Sequence, residues 1–122
     1  MIVIQWSALV LATLVAAPGL AAPPQGDAVH GKVLYQTCMG CHSLDDNDVG
    51  PRHRGVVGRK AAAVPDYAYS AALKASDLVW DAATLDRWLT NPQALVPGAK
   101  MYFSIAKAQD RADLIAYLAS QK

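Results

Sequence analysis

The chain has 122 residues, which is enough for one compact domain and excludes a multidomain enzyme. Its net charge of +1 leaves no basic field for nucleic-acid binding, and its two cysteines are too few for a disulfide framework. Every charged side chain follows residue 22, so the 53% of hydrophobic residues combine an apolar leader with a domain of ordinary soluble composition.

The leader follows the order of a secretory signal. An apolar stretch from Ala8 to Ala17 is followed by Pro18-Gly19 and then by the small residues Ala21-Ala22. We therefore expect residues 1–21 to be a signal peptide that is cleaved, with export of the domain to the periplasm. The less favoured alternative is an uncleaved apolar helix of about 17 residues, which would anchor the protein in the membrane.

Four helices are expected after the leader, from capping residues and from apolar residues spaced three and four apart. In chain order they run from Asp27 towards Cys38, from Ser70 through Lys74, from Asp81 to Asn91-Pro92, and from Gln109 to Gln121. Residues 45–65 and 93–103 show no sustained period, so we expect two irregular segments there. An irregular segment as long as the first usually wraps around something.

The run Cys38-Met39-Gly40-Cys41-His42 is a C-x-x-C-H motif, the pattern of covalent haem attachment. Each thiol can add to one vinyl group, and the histidine that follows can then reach the iron as its proximal ligand. A disulfide redox pair would need alternating strands and helices, and a closed zinc site would need more Cys or His ligands. The pattern therefore favours haem over a redox pair, a half zinc site or chance.

Further segments match a known family in order and spacing. They are Val49-Gly50-Pro51, Gly55 to Lys60, Tyr67 to Ser70, Trp80, Thr84-Leu85, Asn91-Pro92, Pro97 to Met101, and Leu114 to Leu118. With the C-x-x-C-H motif, they make residues 26–122 resemble the class I, mitochondrial-type cytochromes c and their bacterial periplasmic relatives. The resemblance implies an all-α class I cytochrome c fold, with helices and long loops wrapped around one covalent haem c.

Met101 is implied by the resemblance to be the distal iron ligand opposite His42. Its chemistry agrees, because a soft thioether favours ferrous iron and a Pro/Gly-shaped loop can hold the sulfur in place. Met39 lies between the two thiols, on the proximal side, and Met1 lies in the leader. The alternative for Met101 is an ordinary gap-filling core methionine.

Four more positions are given haem-related roles by the resemblance. Pro51 would accept a hydrogen bond from the proximal imidazole through its carbonyl, while Arg59, Tyr69 and Trp80 would donate to the haem propionates. The alternatives are a solvated loop charge for Arg59, simple packing for Tyr69 and a core role for Trp80.

The chain also departs from the family pattern. Ala99, Leu73 and Trp88 stand where a threonine, an asparagine and a tyrosine are common, which alters the polar network around the haem. His53 stands at a usually apolar position, and we expect a solvent-facing loop histidine rather than an iron ligand or a pH sensor. His30 is expected to have no special role.

The resemblance also implies a close crossing of the first and last helices. Gly31 and Tyr35 of the first helix would pack there against Leu114 and Tyr117 of the last helix. Since Gly31 has no side chain, the two backbones can approach closely.

The function expected from these features is that of a monomeric one-electron carrier and not an enzyme. The alternatives are a membrane-tethered electron-transfer module and a haem peroxidase or sensor with a displaced Met101. The partners implied by the resemblance are a quinol-oxidising complex, a terminal oxidase of a respiratory chain, a periplasmic dehydrogenase or a photosynthetic reaction centre. Lysines could steer the carrier to acidic partners, or could simply be scattered over the surface: Lys32, Lys60, Lys74, Lys100 and Lys107.

Overall fold

A computed structural model describes residues 24–122, together with Ala16, Ala17 and Gly19. Its helices are α1 (Ala28–Tyr35), α2 (Ala71–Lys74), α3 (Ala82–Thr90), α4 (Pro92–Leu95) and α5 (Ala108–Ser120). Within these residues, the β-type pairing consists of one isolated antiparallel bridge between Lys60 and Val79. The described domain is therefore all-α, as the sequence predicts. The predicted signal peptide, residues 1–21, lies outside the described residues apart from those three.

The predicted capping residues begin the first three helices. Asp27 accepts hydrogen bonds from two backbone amides of α1, Ser70 accepts one in α2, and Asp81 accepts one in α3. Each side chain satisfies an amide that has no partner inside its own helix, which fixes where the helix begins. These helix starts were predictable because each depends on residues that are adjacent in the sequence.

The segment 93–103 is not irregular throughout, and this expectation was wrong. Asn91 and Pro92 end α3 and also begin α4, since the Asn91 side chain accepts a 3.1 Å hydrogen bond from the Ala94 amide. Proline suits the first turn of a helix because its nitrogen needs no partner there. The expected irregular run therefore starts with one helical turn.

The long segment 45–65 is irregular, as predicted, and is tied to the residues just before it and to the C-terminal end of the domain. The amides of His53 and Arg54 donate to the carbonyls of Ser43 and Leu44, and the Gly55 amide donates 2.7 Å to the carbonyl of Gln121. Gly55 has a φ of 74°, a conformation that side chains disfavour. These bonds fold the segment back over one side of the domain.

The predicted crossing of α1 and α5 is confirmed. A Cβ atom at Gly31 would overlap the backbone carbonyl of Asp113, so the two helices touch through their backbones. Tyr35, Leu114 and Tyr117 are buried beside this contact. The crossing closes one side of the hydrophobic core.

Asp113 is the buried charged residue of this crossing. Its carboxylate accepts hydrogen bonds from the Asp27 amide at 2.8 Å, the Gln109 side chain at 2.8 Å and the His30 ring at 2.7 Å. Three donors compensate the loss of water around this carboxylate. His30, expected to have no special role, therefore pairs with a buried charge.

Candidate functional site

The core surrounds a cavity of about 410 Å³. Most of its wall is apolar, and polar side chains enter it from the long segment 45–65 and from the residues after it. This volume lies in the range of cofactor-binding pockets in proteins. The sequence-predicted site residues all line this cavity: Cys38, Cys41, His42, Pro51, Arg59, Tyr69, Trp80 and Met101.

The C-x-x-C-H residues leave α1 as a series of tight turns. The Cys38 amide donates to the Tyr35 carbonyl, and the amides of Cys41 and His42 both donate to the carbonyl of Cys38, at 3.1 and 2.8 Å. These bonds bring both thiols and the imidazole to the same cavity wall. Both cysteines are free thiols, and burial raises the pKa of the Cys38 thiol.

The His42 ring has a fixed direction. Its Nδ1 lies 2.8 Å from the carbonyl oxygen of Pro51, which can only accept, so Nδ1 carries the proton. Burial lowers the pKa of His42, and the neutral ring keeps an unprotonated Nε2 as a potential metal-binding atom. Gly50 lies against the ring so closely that a Cβ atom there would overlap it.

His53 does not face solvent, and that expectation was wrong. Its ring stacks on the ring of His42 with a centroid separation of 3.9 Å, and its Nδ1 lies 3.1 Å from the Tyr35 hydroxyl. Burial, together with the neighbouring His42 and Arg59, lowers the pKa of His53 to about 3. The bonds of its own amide and that of Arg54 turn this part of the loop inward.

Met101 reaches the cavity from the loop after α4. Its side chain is half-buried, and its backbone carbonyl accepts a 2.8 Å hydrogen bond from the Gln93 side chain. The same Gln93 amide group donates 2.7 Å to the carbonyl of Ala99. Sequence reasoning missed Gln93, since no local pattern shows that a helical glutamine turns back to the following loop.

The three residues expected at the propionates differ in the hydrogen bonds that they make within the protein. The Arg59 guanidinium donates 2.7 Å to the Arg52 carbonyl, and burial lowers its pKa. The Tyr69 hydroxyl accepts from the Val64 amide at 3.1 Å, which leaves its own proton free to donate. Trp80 is 8% exposed, and no hydrogen bond of its indole N–H occurs within residues 24–122. Each thus retains a donor at the cavity wall.

The three departures from the family pattern are buried. Leu73 and Trp88 are each 9% exposed and Ala99 is 3% exposed, and all three line the cavity. Trp88 packs edge-on against Trp80 with a centroid separation of 5.1 Å. Apolar packing therefore takes the place of three polar side chains.

The family profile described as cytochrome c matches residues 28–122, which is nearly all of the described domain. The chain belongs to the cytochrome c family. It is 48% identical over 100 residues to cytochrome c2 of Rhodomicrobium vannielii, covering 79% of this chain and 80% of that protein. It is 46% identical over 101 residues to cytochrome c of Euglena viridis, covering 80% of this chain and 99% of that one.

Solved cytochromes c have the same fold. Cytochrome cH from Methylobacterium extorquens matches with a TM-score of 0.76 and 44% identity, over 78% of this chain and 99% of that one. Ferricytochrome c2 from Rhodopseudomonas palustris matches with a TM-score of 0.75 and 37% identity, over 79% and 99% of the two chains. The all-α fold is therefore the class I cytochrome c fold.

Membership of the cytochrome c family establishes the cofactor and the activity. The protein is a monohaem c-type cytochrome with one covalently bound haem c, held by histidine and methionine ligation, and it carries single electrons between redox partners. Its own residues suit this group, because thiols, an imidazole and a thioether meet in one largely apolar cavity. Across the residues that the structure describes, no helix has the length and apolarity needed to cross a membrane.

Proposed function

We propose that Cys38 and Cys41 attach the haem and that His42 and Met101 are its two axial ligands. The observation that carries this proposal is the position of all four side chains on the wall of one cavity. His42 comes from the turns after α1, whereas Met101 comes from the loop after α4, so the two ligands approach from different segments.

The carbonyl of Pro51 orients the proximal ligand. Its hydrogen bond to Nδ1 leaves the lone pair of His42 on Nε2, which would bind the haem iron, and makes the ring a stronger donor. Gly50 leaves room for the ring. When bound, the haem supplies the one-electron chemistry by alternating between its ferric and ferrous states.

Arg59, Tyr69 and Trp80 receive the carboxylates of the haem. The support is that each residue lines the cavity and still has a hydrogen-bond donor that its contacts within the protein do not use. Donors at this wall compensate carboxylates that are partly removed from water. The apolar residues elsewhere exclude water and limit rearrangement during electron transfer.

The ligand assignment is tested by the visible spectrum of the ferric protein. A sulfur–iron bond gives a weak far-red absorption band, which should be present in the native protein and absent in Met101→Ala. The matched control is Met39→Ala, which removes an exposed methionine between the two thiols and should retain the band. A native protein without the band, or a Met101→Ala variant that keeps it, would contradict the assignment.

With His42 and Met101 both bound to the iron, no coordination site would remain open, and we infer that the protein is a carrier and not an enzyme. The support is the half-buried Met101, whose backbone is held at the cavity. Rapid peroxide turnover or ligand binding by the native protein would favour the peroxidase or sensor alternative instead.

We infer that the protein is exported through the signal peptide of residues 1–21 and works in the periplasm as a diffusing monomer. Mass spectrometry of the purified holoprotein tests this inference directly. Loss of residues 1–21 is expected, and their retention would indicate a membrane-tethered carrier. With or without cleavage, the cytochrome c domain would span residues 26–122.

The partners are proposed to be a periplasmic or membrane electron donor and acceptor. The candidates are a quinol-oxidising complex, a terminal oxidase, a periplasmic dehydrogenase and a photosynthetic reaction centre. Stopped-flow oxidation and reduction by each, at increasing ionic strength, distinguishes them. If the exposed lysines steer docking, the rate falls with added salt; a flat profile rejects steering.

A further inference from the structure

The loop that carries Met101 is held by one glutamine side chain. Gln93, in the single turn of α4, donates from Nε2 to the carbonyl of Ala99 at 2.7 Å and to the carbonyl of Met101 at 2.8 Å. Its Oε1 accepts from the Gly98 amide at 3.3 Å. One half-buried side chain thus binds three backbone groups within four consecutive residues.

These contacts use the hydrogen-bonding capacity of the amide well. Both hydrogens of Nε2 are donated to two carbonyls, and Oε1 accepts from an amide on the same loop. One of those carbonyls belongs to Met101 itself. The side chain therefore acts on the backbone from which the sulfur extends.

The helical turn that presents Gln93 is itself anchored. Pro92 is fully buried, the Val96 amide donates 2.9 Å to the Pro92 carbonyl, and the Asn91 side chain caps the turn. An anchored turn gives the glutamine a fixed base, so its three bonds limit motion of the loop and not of the turn.

Two other contacts hold this loop. The Ala99 amide donates 3.0 Å to the Val96 carbonyl, and the Lys100 ammonium donates 2.6 Å to the Ala68 carbonyl. The first lies before Met101, and the second depends on an exposed, flexible side chain. Neither contact involves the backbone of Met101, whereas the hydrogen bond from Gln93 reaches the Met101 carbonyl directly.

We propose that Gln93 is a positioning residue that latches the Met101 loop and sets how often the sulfur leaves its place in the cavity. The proposal rests on the assignment of Met101 as the distal ligand. Without the Gln93 side chain, two carbonyls and one amide of the loop would form hydrogen bonds with water instead, and the loop would open more often. The latch thereby restricts the carrier to electron transfer, since an open loop would admit other ligands.

The experiment measures imidazole binding to the ferric holoprotein by stopped flow. At saturating imidazole, the observed rate equals the rate at which Met101 dissociates. Gln93→Ala, which loses all three bonds, should raise this limiting rate at least about tenfold. Gln93→Glu retains the size of the side chain but faces two carbonyls with a carboxylate, and it should raise the rate as well.

The matched control is Gln109→Ala. Gln109 also donates twice from Nε2, to the Gln25 carbonyl and to Asp113, but it does so at the α1–α5 crossing. Its variant should leave the limiting rate within about twofold of the native value, even where its denaturation midpoint falls.

The outcomes distinguish failure of the Gln93 latch from failure of the Met101 ligand assignment. Native-like limiting rates in both Gln93 variants, or an equal acceleration in Gln109→Ala, would overturn the latch while leaving Met101 as the ligand. If the native ferric protein lacks the sulfur–iron absorption band and its imidazole rate rises without saturation, the ligand assignment fails and the latch fails with it.

Discussion

The imidazole of His53 lies nearly parallel to that of His42, with ring centroids 3.9 Å apart and planes inclined by 20°. His53 is in turn bonded through Nδ1 to the hydroxyl of Tyr35, which packs on Tyr117 with a centroid separation of 5.3 Å. A continuous line of rings therefore connects the crossing of α1 and α5 to the histidine at the cavity.

Tyr35→Phe and His53→Leu should both destabilise the protein, and their effects should not add. Because His53 is neutral, its Nδ1 and the Tyr35 hydroxyl share one hydrogen bond between uncharged groups. Tyr35→Phe should lower the free energy of unfolding by about 0.5–1.5 kcal/mol. His53→Leu should lower it by about 1–3 kcal/mol, because it leaves the buried Tyr35 hydroxyl without its partner. Denaturant unfolding of both variants and their combination measures the coupling.

The control for this pair is Tyr117→Phe. Within residues 24–122 the Tyr117 hydroxyl makes no hydrogen bond, so its removal should change stability by less than about 0.5 kcal/mol. Full additivity of Tyr35→Phe and His53→Leu would show that the hydrogen bond contributes nothing.

Gly31→Val should weaken the α1–α5 crossing. The new side chain would overlap the backbone carbonyl of Asp113, so the helices must separate, at a cost of about 1–3 kcal/mol. Guanidinium unfolding should show a lower midpoint. Val29→Ala, at an 80% exposed position of the same helix, should leave the midpoint almost unchanged. An unchanged midpoint in Gly31→Val would refute the close contact.

The pairing of His30 with Asp113 should stabilise the protein over a limited pH range. The Asp113 hydrogen bond raises the pKa of His30 above 6.5, and bonds from the Asp27 amide and His30 lower the pKa of Asp113 from 3.8 to about 2. The His30 contribution is complete below pH 6.5 and is lost as the pH rises through its raised pKa. The Asp113 contribution is present above pH 3.8 and is lost as the pH falls towards 2.

The melting temperature of His30→Gln, compared with the native protein across this range, measures the pair. The difference between the two curves should be largest between pH 3.8 and 6.5 and should shrink on the alkaline side. The comparison cancels the titration of groups common to both proteins. A difference that is constant with pH would exclude an ionic contribution of His30.

Arg111→Lys should destabilise the segment before α5. The Arg111 side chain is 11% exposed, and its guanidinium donates to Asp86 at 2.7 Å and to the carbonyls of Ile105 and Ala106 at 2.9 and 3.0 Å. A lysine lacks this fork and leaves acceptors unpaired, so we expect a loss of about 1–3 kcal/mol in chemical denaturation. The exposed Arg87→Lys is the control. Equal effects of the two variants would refute a specific role for the fork.

The amino-acid sequence by itself determined the helix starts, the haem-attachment motif and the family. Asp27, Ser70 and Asp81 cap neighbouring amides, and Cys38, Cys41 and His42 act at fixed short spacings, so no knowledge of the chain path was needed. The one local error was the helical turn of α4, where the same two residues both end one helix and begin another.

Only the tertiary structure decided what His53, Gln93 and His30 do. The sequence predicts a solvent-facing His53, whereas its ring stacks on His42. No sequence pattern marks Gln93, which bonds three backbone groups. His30 pairs with Asp113 across the helix crossing. These polar side chains carry no periodic or spacing signal, and the same residue types are usually solvated on a surface. Their partners are set by how loops and helices fold back on one another, which local sequence does not encode.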